Sequence, residues 1–320
     1  MKNNPDSREK IPKVIKPRTF WLTASALRRF FRIHIYGYII CPKFQYLKKM
    51  IKNNNIFHYT SIESLAMILS SKKLRFSRFD HLDDVLEAQT NSRIAFGKYF
   101  FASCWTQQSE ESVPQWSMYG NNMQGVRIEL PKYPFRKIAI EPKQYRSWLE
   151  VCHKPIIGPL SIDECDNEKY FIQPNFFEDF FDGPVEYVPD VKARYDLAIQ
   201  TNENQTTIIE PNKLPRLKSD HWSFQSEYRF HLWVLPKPNE PLEPSENLGI
   251  RMIEEFKNGV ELGINFIDVP LDPSVFNSLV IRTGPLCTPG GIVCIKALMA
   301  MYAPNAKIEN SHFKDKIRQI

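Results

Sequence analysis

The most regular alternation of apolar and polar positions begins after Phe57 and predicts a strand, a helix and a second strand. Apolar residues recur at helical intervals, at Ile62, Leu65, Ile68 and Leu69. Thr60 and Glu63 have the spacing of a capping box, so the helix is expected to begin next to Thr60. Leu74 and Phe76 then alternate with polar neighbours, which is typical of a half-buried strand.

The same patterns predict further elements along the rest of the chain. Strands are expected at residues 99–105, 124–130, 227–234 and 279–282, and helices at about residues 190–200 and 292–302. Strands and helices that follow one another without a regular βαβ repeat are typical of α+β proteins. The pattern therefore predicts an α+β fold with a mainly antiparallel or split sheet.

The chain divides by composition into an N-terminal extension and one large domain. Residues 1–18 are polar and contain proline, and residues 19–52 are expected to be helical with a break near Pro42. We expect an extension, a domain and a tail, at residues 1–55, 56–312 and 313–320. Within the domain, residues 133–220 have a weaker pattern and many prolines, which predicts an insertion facing the site. This insertion either selects a partner or is a structural elaboration.

The positive charge of the chain is concentrated in the extension. Residues 1–56 contain 13 Lys or Arg and two acids, whereas the rest of the chain has more acids than bases. Within residues 21–38, Arg28, Arg29 and Arg32 are interleaved with aromatic and aliphatic side chains. Such a segment either packs on the domain as a surface helix or binds an anionic partner, namely a nucleic acid backbone, a membrane surface or a protein.

Cysteine usage and hydropathy predict a cytoplasmic protein. The six cysteines form no CxxC pair and no recognisable zinc spacing, and no convincing secretory signal is present, so we expect reduced thiols and no metal site. The most membrane-like stretch, residues 33–41, is short and contains His34 and Gly37, whereas a membrane-spanning helix needs about 18 or more apolar residues. No transmembrane segment is expected.

Three segments contain the candidates for chemistry. His58 ends a short apolar stretch beside a helix N-terminus, where an imidazole and free backbone amides can contact ribose and phosphate. Residues 116–120 read WSMYG before a predicted strand, and residues 222–230 read WSFQSEYRF. The opening strand, histidine, hydroxyl residue and helix, with the order His58, Tyr119 and Glu227, resemble the branch of the ADP-ribosyltransferase fold that uses a His, Tyr, Glu set.

More closely, the chain resembles a bacterial family catalogued as domain of unknown function 2971, some of whose relatives are associated with abortive-infection defence against phage. That family has an opening His-Tyr pair, an acidic box, a Trp-x-x-Tyr segment before a Gly-Val strand, and a late Glu-x-Arg strand. All four occur here, within residues 57–311. The resemblance implies an ADP-ribosyltransferase-like split antiparallel sheet with flanking helices, and a defence or toxin-like role.

The resemblance also implies roles for individual residues, with NAD as the substrate. Glu227 would be catalytic, because breaking the bond between nicotinamide and ribose develops positive charge that a carboxylate stabilises. His58 would bind a ribose hydroxyl, Thr60 would cap the helix or face the nucleotide, and Tyr119 would stack on the nicotinamide ring. Structural alternatives exist for these residues, since Glu227 can pair with Arg229, and His58 and Tyr119 can serve in packing.

The acidic box at residues 83–87 matches the family's pattern only at Asp84 and Glu87. Its carboxylates are expected in the first turn of a helix, where acids are favourable, or bound to an arginine, a substrate or a divalent ion. Three functions remain open. The first is ADP-ribosyl transfer from NAD to a macromolecule, whether protein or nucleic acid, or NAD hydrolysis. The second is inactive binding of a nucleotide or nucleic acid, and the third is a metal-dependent nuclease that uses Asp84 and Glu87.

Overall fold

The computed structural model of the protein describes residues 32–35, 55–92, 94–141, 155–177, 179–202, 205–243 and 247–318. The strands are β1 (Arg32–Ile35), β2 (Asn55–Thr60), β3 (Lys73–Arg78), β4 (Phe100–Thr106), β5 (Val126–Pro131), β6 (Ile138–Ile140), β7 (Ile156–Gly158), β8 (Tyr170–Ile172), β9 (Asp182–Pro184), β10 (Glu186–Val188), β11 (Ile199–Asn202), β12 (Gln205–Ile208), β13 (Leu217–Ser219), β14 (Glu227–Pro236), β15 (Phe266–Pro270), β16 (Val280–Thr283) and β17 (Lys307–Asn310). The helices are α1 (Ile62–Ser71), α2 (Val113–Met118), α3 (Ile162–Cys165), α4 (Val191–Ala198), α5 (Leu248–Lys257) and α6 (Pro289–Tyr302).

The largest sheet is open and mostly antiparallel. Its main path runs in the order β15-β3-β4-β2-β5-β16-β17, and β14 pairs with β4 as well as with β8 and β9. Within this sheet the β16–β17 pairing is parallel, and the others are antiparallel. The prediction of an α+β fold with a mainly antiparallel sheet is therefore confirmed.

The sheet divides at β4. One edge of β4 pairs with β14 along its whole length, from Phe100 to Thr106. The other edge is shared, because β3 pairs with Phe101 and Ala102, whereas β2 pairs only with Thr106. Between these two pairings the backbone of β4 near Cys104 has no strand partner on this edge. A side chain from β2 can therefore reach the β4 backbone at this position.

The helix after β2 begins one residue later than the sequence predicts. Ser61 is the capping residue of α1, and its hydroxyl accepts a hydrogen bond from the backbone N–H of Ser64 at 3.1 Å. Thr60 is instead the last residue of β2 and is buried. The predicted capping box of Thr60 and Glu63 was therefore wrong. Two consecutive hydroxyl residues are both good caps, so the pattern alone does not distinguish them.

β14 is buried along its entire length. On one face, Phe230 packs against Phe135 and Phe181, with ring centroids 5.0 and 5.6 Å away. The other face contains Arg229 and His231, which are also buried, so the predicted alternation does not expose a polar face. Phe181, β8 and β9 belong to the predicted insertion and cover this strand. Charges on such a strand need partners inside the protein.

Of the N-terminal extension, the structure describes Asn55, which begins β2, and Arg32–Ile35, which form β1 and pair in parallel with β12. The helix predicted over residues 19–52 was therefore wrong at these four positions, where Ile33 and Ile35 alternate as strand residues do. The rest of the basic extension, residues 1–31 and 36–54, lies outside the described residues. Among the described helices, none has the length and apolar character needed to cross a membrane.

Candidate functional site

A cavity of about 240 Å³ lies where β2 and β4 separate. Its walls come from β2, β4, α2, β14 and the segments around them, and they consist of Phe57, His58, Tyr59, His81, Leu82, Asp83, Cys104, Trp105, Gln115, Tyr119, Lys218, Gln225 and Glu227. The structure thus brings together three of the four predicted site residues, His58, Tyr119 and Glu227. The fourth, Thr60, is buried at the end of β2 and is not among the lining residues.

His58 is held as a neutral imidazole by the open edge of β4. Its Nδ1 lies 2.8 Å from the carbonyl oxygen of Cys104, and because a carbonyl only accepts, Nδ1 carries the proton. Nε2 is then a hydrogen-bond acceptor. Burial lowers the pKa of His58, and the bond to Cys104 opposes this only in part. The ring also packs on Trp105, with centroids 5.0 Å apart.

Glu227 is ionised although it is buried. Its carboxylate lies 2.8 Å from Nε of Arg229 and 3.3 Å from Nζ of Lys218. Burial alone would raise the pKa of Glu227, but the charges of Arg229 and Lys218 outweigh this effect and lower the pKa to about 2. The backbone N–H of Glu227 donates to the hydroxyl of Tyr187 at 2.8 Å, which fixes the start of β14.

The same two cations bind Glu87, from the acidic box. Arg229 donates from Nη1 to Glu87 at 2.9 Å, and Nζ of Lys218 lies 3.0 Å from the other carboxylate oxygen. Burial raises the pKa of Glu87, and the negative charge of Glu227 adds to this effect, while Arg229 and Lys218 oppose it. Lys218 also lies 3.3 Å from Asp83 at the cavity wall. Asp83, Glu87 and Glu227 therefore surround the Lys218 ammonium.

Tyr119 follows the C-terminal end of α2 and is fixed through its hydroxyl. The hydroxyl donates to Asp83 and accepts from the side-chain amide of Gln225. Gln115, on α2, donates from its amide to the backbone carbonyl of Gln225 at 2.7 Å. Burial and the negative charge of Asp83 raise the pKa of Tyr119, so its hydroxyl keeps the proton. The ring of Tyr119 thus forms one wall of the cavity in a single orientation.

Trp116, from the same segment, has a packing role. It is fully buried, its indole N–H donates to Glu111 at 2.8 Å, and its ring meets Tyr59 edge-on at 4.9 Å. Glu111 in turn binds Arg282 at 3.1 Å. The Trp-x-x-Tyr segment therefore anchors α2 with its tryptophan and lines the cavity with its tyrosine.

The acidic box does not begin a helix, which corrects that expectation. Residues 85–88 form a turn, in which Oδ1 of Asp84 accepts from the backbone N–H of Leu86 at 3.0 Å. Both oxygens of Glu87 are bound by Arg229 and Lys218. No group of three or more His, Cys, Asp or Glu in the described ranges is arranged to hold a metal ion. The box therefore supplies partners for buried cations.

Several residues of the cavity had no signal in the sequence. Lys218 lies in the weakly patterned region before β14, and Gln115 and Gln225 are polar residues of common types that acquire a role only in three dimensions. His221, which is close to Glu227 in sequence, has an exposed side chain and is not among the residues that line the cavity. Its neighbour Trp222 packs over the Lys218 ammonium at 4.9 Å. The alternation of apolar and polar residues in β14 locates Glu227 at the start of a strand. It does not predict which distant cations lie beside Glu227.

The fold and the site define an α+β protein with an aromatic cavity at a division of its sheet and a buried network of charges in the cavity wall. A comparison of the chain with protein-family models, curated proteins and solved structures found no match. The resemblance of the His58, Tyr119 and Glu227 segments to the ADP-ribosyltransferase fold and to domain of unknown function 2971 therefore stays a prediction.

Proposed function

We propose that the protein binds NAD in this cavity and cleaves the bond between nicotinamide and ribose, and that it transfers ADP-ribose to a macromolecule or to water. One observation carries the proposal. His58, Tyr119 and Glu227, which come from three separate segments of the chain, line a single cavity. This is the set of residues that the resemblance to ADP-ribosyltransferases implies for NAD. By the same resemblance, we propose a defence or toxin-like role for the activity.

The cavity suits one half of such a substrate. Pockets that enclose drug-sized ligands have volumes of about 300–1,000 Å³, and this cavity of about 240 Å³ is smaller. Nicotinamide and its ribose would fit inside, with the remaining nucleotide outside the cavity. The rings of Tyr59, Trp105 and Tyr119 in the wall match a planar pyridinium ring, which aromatic faces attract by stacking and by cation–π interaction.

In the proposed reaction, the C1′–N bond breaks and its electron pair leaves with nicotinamide, which becomes neutral. Positive charge then develops on the ribose, and the ionised carboxylate of Glu227 stabilises it. Nε2 of His58, as an acceptor, would bind a ribose hydroxyl. An oxygen or nitrogen of the acceptor then bonds to C1′, and its proton passes to solvent water. Because Arg229 and Lys218 lower the pKa of Glu227, its carboxylate stays ionised at every physiological pH.

A second candidate function is nucleotide binding without catalysis. It is favoured by the two cations, Arg229 and Lys218, that already bind Glu227. A carboxylate that is neutralised in this way offers less charge to a developing cation. The two candidates predict the same ligand in the same cavity but differ in whether the ligand is consumed.

The first experiment is nicotinamide release from NAD by wild-type protein, by Glu227→Gln and by the exposed control Glu240→Gln. Assays with and without cell extract and nucleic acid supply possible acceptors. We expect release by wild type and by the control, and a loss of at least about 100-fold in Glu227→Gln, because removing a group that stabilises transition-state charge has effects of this size. Melting temperatures establish that the variants are folded.

The other outcomes assign the function differently. If no condition gives release while NAD still raises the melting temperature of the wild type, the protein is a binder without catalysis. If NAD causes neither release nor a rise in melting temperature, both candidate functions are wrong. If folded Glu227→Gln keeps full activity, Glu227 belongs to the structural charge network alone.

A further inference from the structure

Residues 307–318 contain a cluster of exposed positive charges. This segment consists of β17 and the turns that follow it, and its exposed cations are Lys307, Lys314, Lys316 and Arg318. None of these cations forms an ion pair with a residue in the ranges that the structure describes. Of the two acids in the segment, Glu309 binds Arg282 at 2.5 Å and Asp315 offsets one charge. The segment is therefore positively charged, although the domain around it contains more acids than bases.

β17 lies at one edge of the largest sheet, next to β16. Glu309 is paired with Arg282 of β16, and paired residues of neighbouring strands point to the same face of a sheet. Lys307 precedes Glu309 by two positions, so it lies on this face as well. Arg282 binds Glu111 there, at 3.1 Å. The face that contains Lys307 is therefore the face on which Glu111 is held.

The chain after β17 returns to the same Glu111, which connects it to the cavity. The hydroxyl of Ser311 and the backbone N–H of His312 donate to the carboxylate of Glu111 at 2.5 and 2.8 Å. The next residue, Ser112, donates its backbone N–H to the hydroxyl of Tyr59 at 3.0 Å, and Tyr59 lines the cavity. A partner that binds the segment is thus held close to the cavity wall.

The chemistry of the segment favours a nucleic acid as this partner. Lysine and arginine side chains without partners bind phosphates strongly, because each contact releases counterions from the polyanion. A segment that binds a membrane surface also needs an exposed apolar face. The large apolar side chains of the turns, Phe313 and Ile317, are partly buried. Exposed charge without an exposed apolar face is typical of a surface for a phosphate backbone.

We propose that residues 307–318 bind the phosphate backbone of a nucleic acid and hold it beside the cavity. Because the contacts are made to phosphates, binding depends on salt and little on base sequence. A second part rests on the proposed function, namely that this nucleic acid is the acceptor of ADP-ribose. An oxygen or nitrogen of the nucleic acid then bonds to C1′ as nicotinamide leaves with the electron pair, and its proton passes to solvent water.

The test measures binding of fluorescently labelled single-stranded DNA and RNA by anisotropy, without NAD, between about 50 and 200 mM salt. One variant combines Lys307→Gln, Lys314→Gln and Lys316→Gln. The matched control combines Lys73→Gln, Lys137→Gln and Lys169→Gln, which are exposed lysines elsewhere in the domain. Both variants lose the same charge and keep the basic N-terminal extension, and melting temperatures establish that they are folded.

We expect the first variant to bind at least about tenfold more weakly than the wild type at low salt. The slope of log K against the logarithm of the salt concentration should become smaller by about 2, since each phosphate contact contributes about 0.7 for a single strand. The control should bind nearly as the wild type does.

Three results overturn the proposed surface: equal weakening in both variants, unchanged binding in the first variant, or a wild type that binds neither nucleic acid. Vesicles of phosphatidylcholine with phosphatidylserine test the alternative partner. If the first variant loses affinity for these vesicles but not for nucleic acid, the surface binds membranes instead. These measurements need no turnover of NAD, so a failure of the proposed function leaves them valid.

NAD labelled in its adenine tests the second part. Label that appears in the bound oligonucleotide supports a nucleic acid as the acceptor. Nicotinamide release without label in the oligonucleotide overturns this second part alone and leaves both the cavity chemistry and the binding surface in place.

Discussion

The buried carboxylates of Glu87 and Glu227 share the same two cations. Arg229 lies 2.9 Å from Glu87 and 2.8 Å from Glu227, and Lys218 lies 3.0 and 3.3 Å from them. These four charges have side chains that are at most 3% exposed. Because each charge compensates two others, the stability of the cavity wall depends on the whole set.

Lys218→Met is expected to destabilise the protein strongly. It removes one cation and leaves Glu87 and Glu227 with Arg229 alone, and the loss of one partner from a buried ion pair typically costs about 3–5 kcal/mol. Urea unfolding at neutral pH measures the change in the free energy of unfolding. The matched control is Lys213→Met, whose partner Glu210 lies 2.6 Å away with both side chains about 40% exposed. The control should change stability by less than about 1 kcal/mol.

The double variant Glu87→Gln with Lys218→Met tests whether the network is the cause. Removing one negative and one positive charge together restores the balance, so the two effects should be less than additive. Strict additivity, or a Lys218→Met variant as stable as the control, would contradict the shared-cation arrangement.

Stability is expected to fall in mild acid because of His231. This residue is buried with both ring nitrogens unpartnered, and burial together with the charges of Arg216 and Arg229 holds its pKa well below 6.5. Below about pH 6.5 the unfolded chain then binds a proton that the folded chain does not bind. The free energy of unfolding therefore decreases as the pH falls. For one group the slope is at most roughly 1.4 kcal/mol per pH unit. His231→Leu should make the loss between pH 6.5 and pH 5 smaller.

Chemical denaturation at a series of pH values checks this dependence. His58, whose pKa is also lowered by burial, contributes in the same direction, so the variant should retain part of the loss. His221→Leu is the control, because its side chain is 90% exposed, and it should behave as the wild type. If His231→Leu and the wild type lose equal stability in acid, His231 is not a cause of the pH dependence.

Tyr119 is expected to act through its ring more than through its hydroxyl. Tyr119→Phe keeps the aromatic wall but loses the bonds to Asp83 and Gln225. Nicotinamide release should fall by no more than about 30-fold in this variant, since the two lost hydrogen bonds contribute roughly 1 kcal/mol each. Tyr119→Ala removes the stacking surface as well and should lose about tenfold or more beyond that. Initial rates at saturating and at low NAD separate binding from turnover. The hypothesis fails if Tyr119→Phe and Tyr119→Ala are equally impaired.

The elements that the sequence predicts best are those whose apolar residues form a continuous run or follow a simple period along the chain. β4 and β14 are runs of aromatic and β-branched residues, and both occur close to the expected bounds. α6 begins three residues earlier than expected, at Pro289, because a proline is well tolerated at the first position of a helix. Whether a segment forms a strand or a helix thus depends on a local pattern of residues, and this pattern can be recognised in a single sequence.

The site was predictable only where a residue lies on such an element. Glu227 is the first residue of β14, whereas His58 lies inside β2, two residues before the strand end that the sequence predicts for it. Lys218 has no comparable signal, because it becomes the partner of Glu87 only when distant segments pack together. The pairing of Glu227 with Arg229 was one of two alternatives, and the structure contains it beside the cavity.

The pairing of β4 with β14 has a consequence for how the protein acquires its site. Thr106 pairs with Glu227, and the intervening chain must close as a long loop before this contact forms, which makes such steps slow in folding. A chain emerging from the ribosome presents β2 and β4 first, without Lys218, Gln225 or Glu227. The nascent chain therefore lacks the charge network, and the cavity is complete only after β14 has been synthesised and has paired with β4.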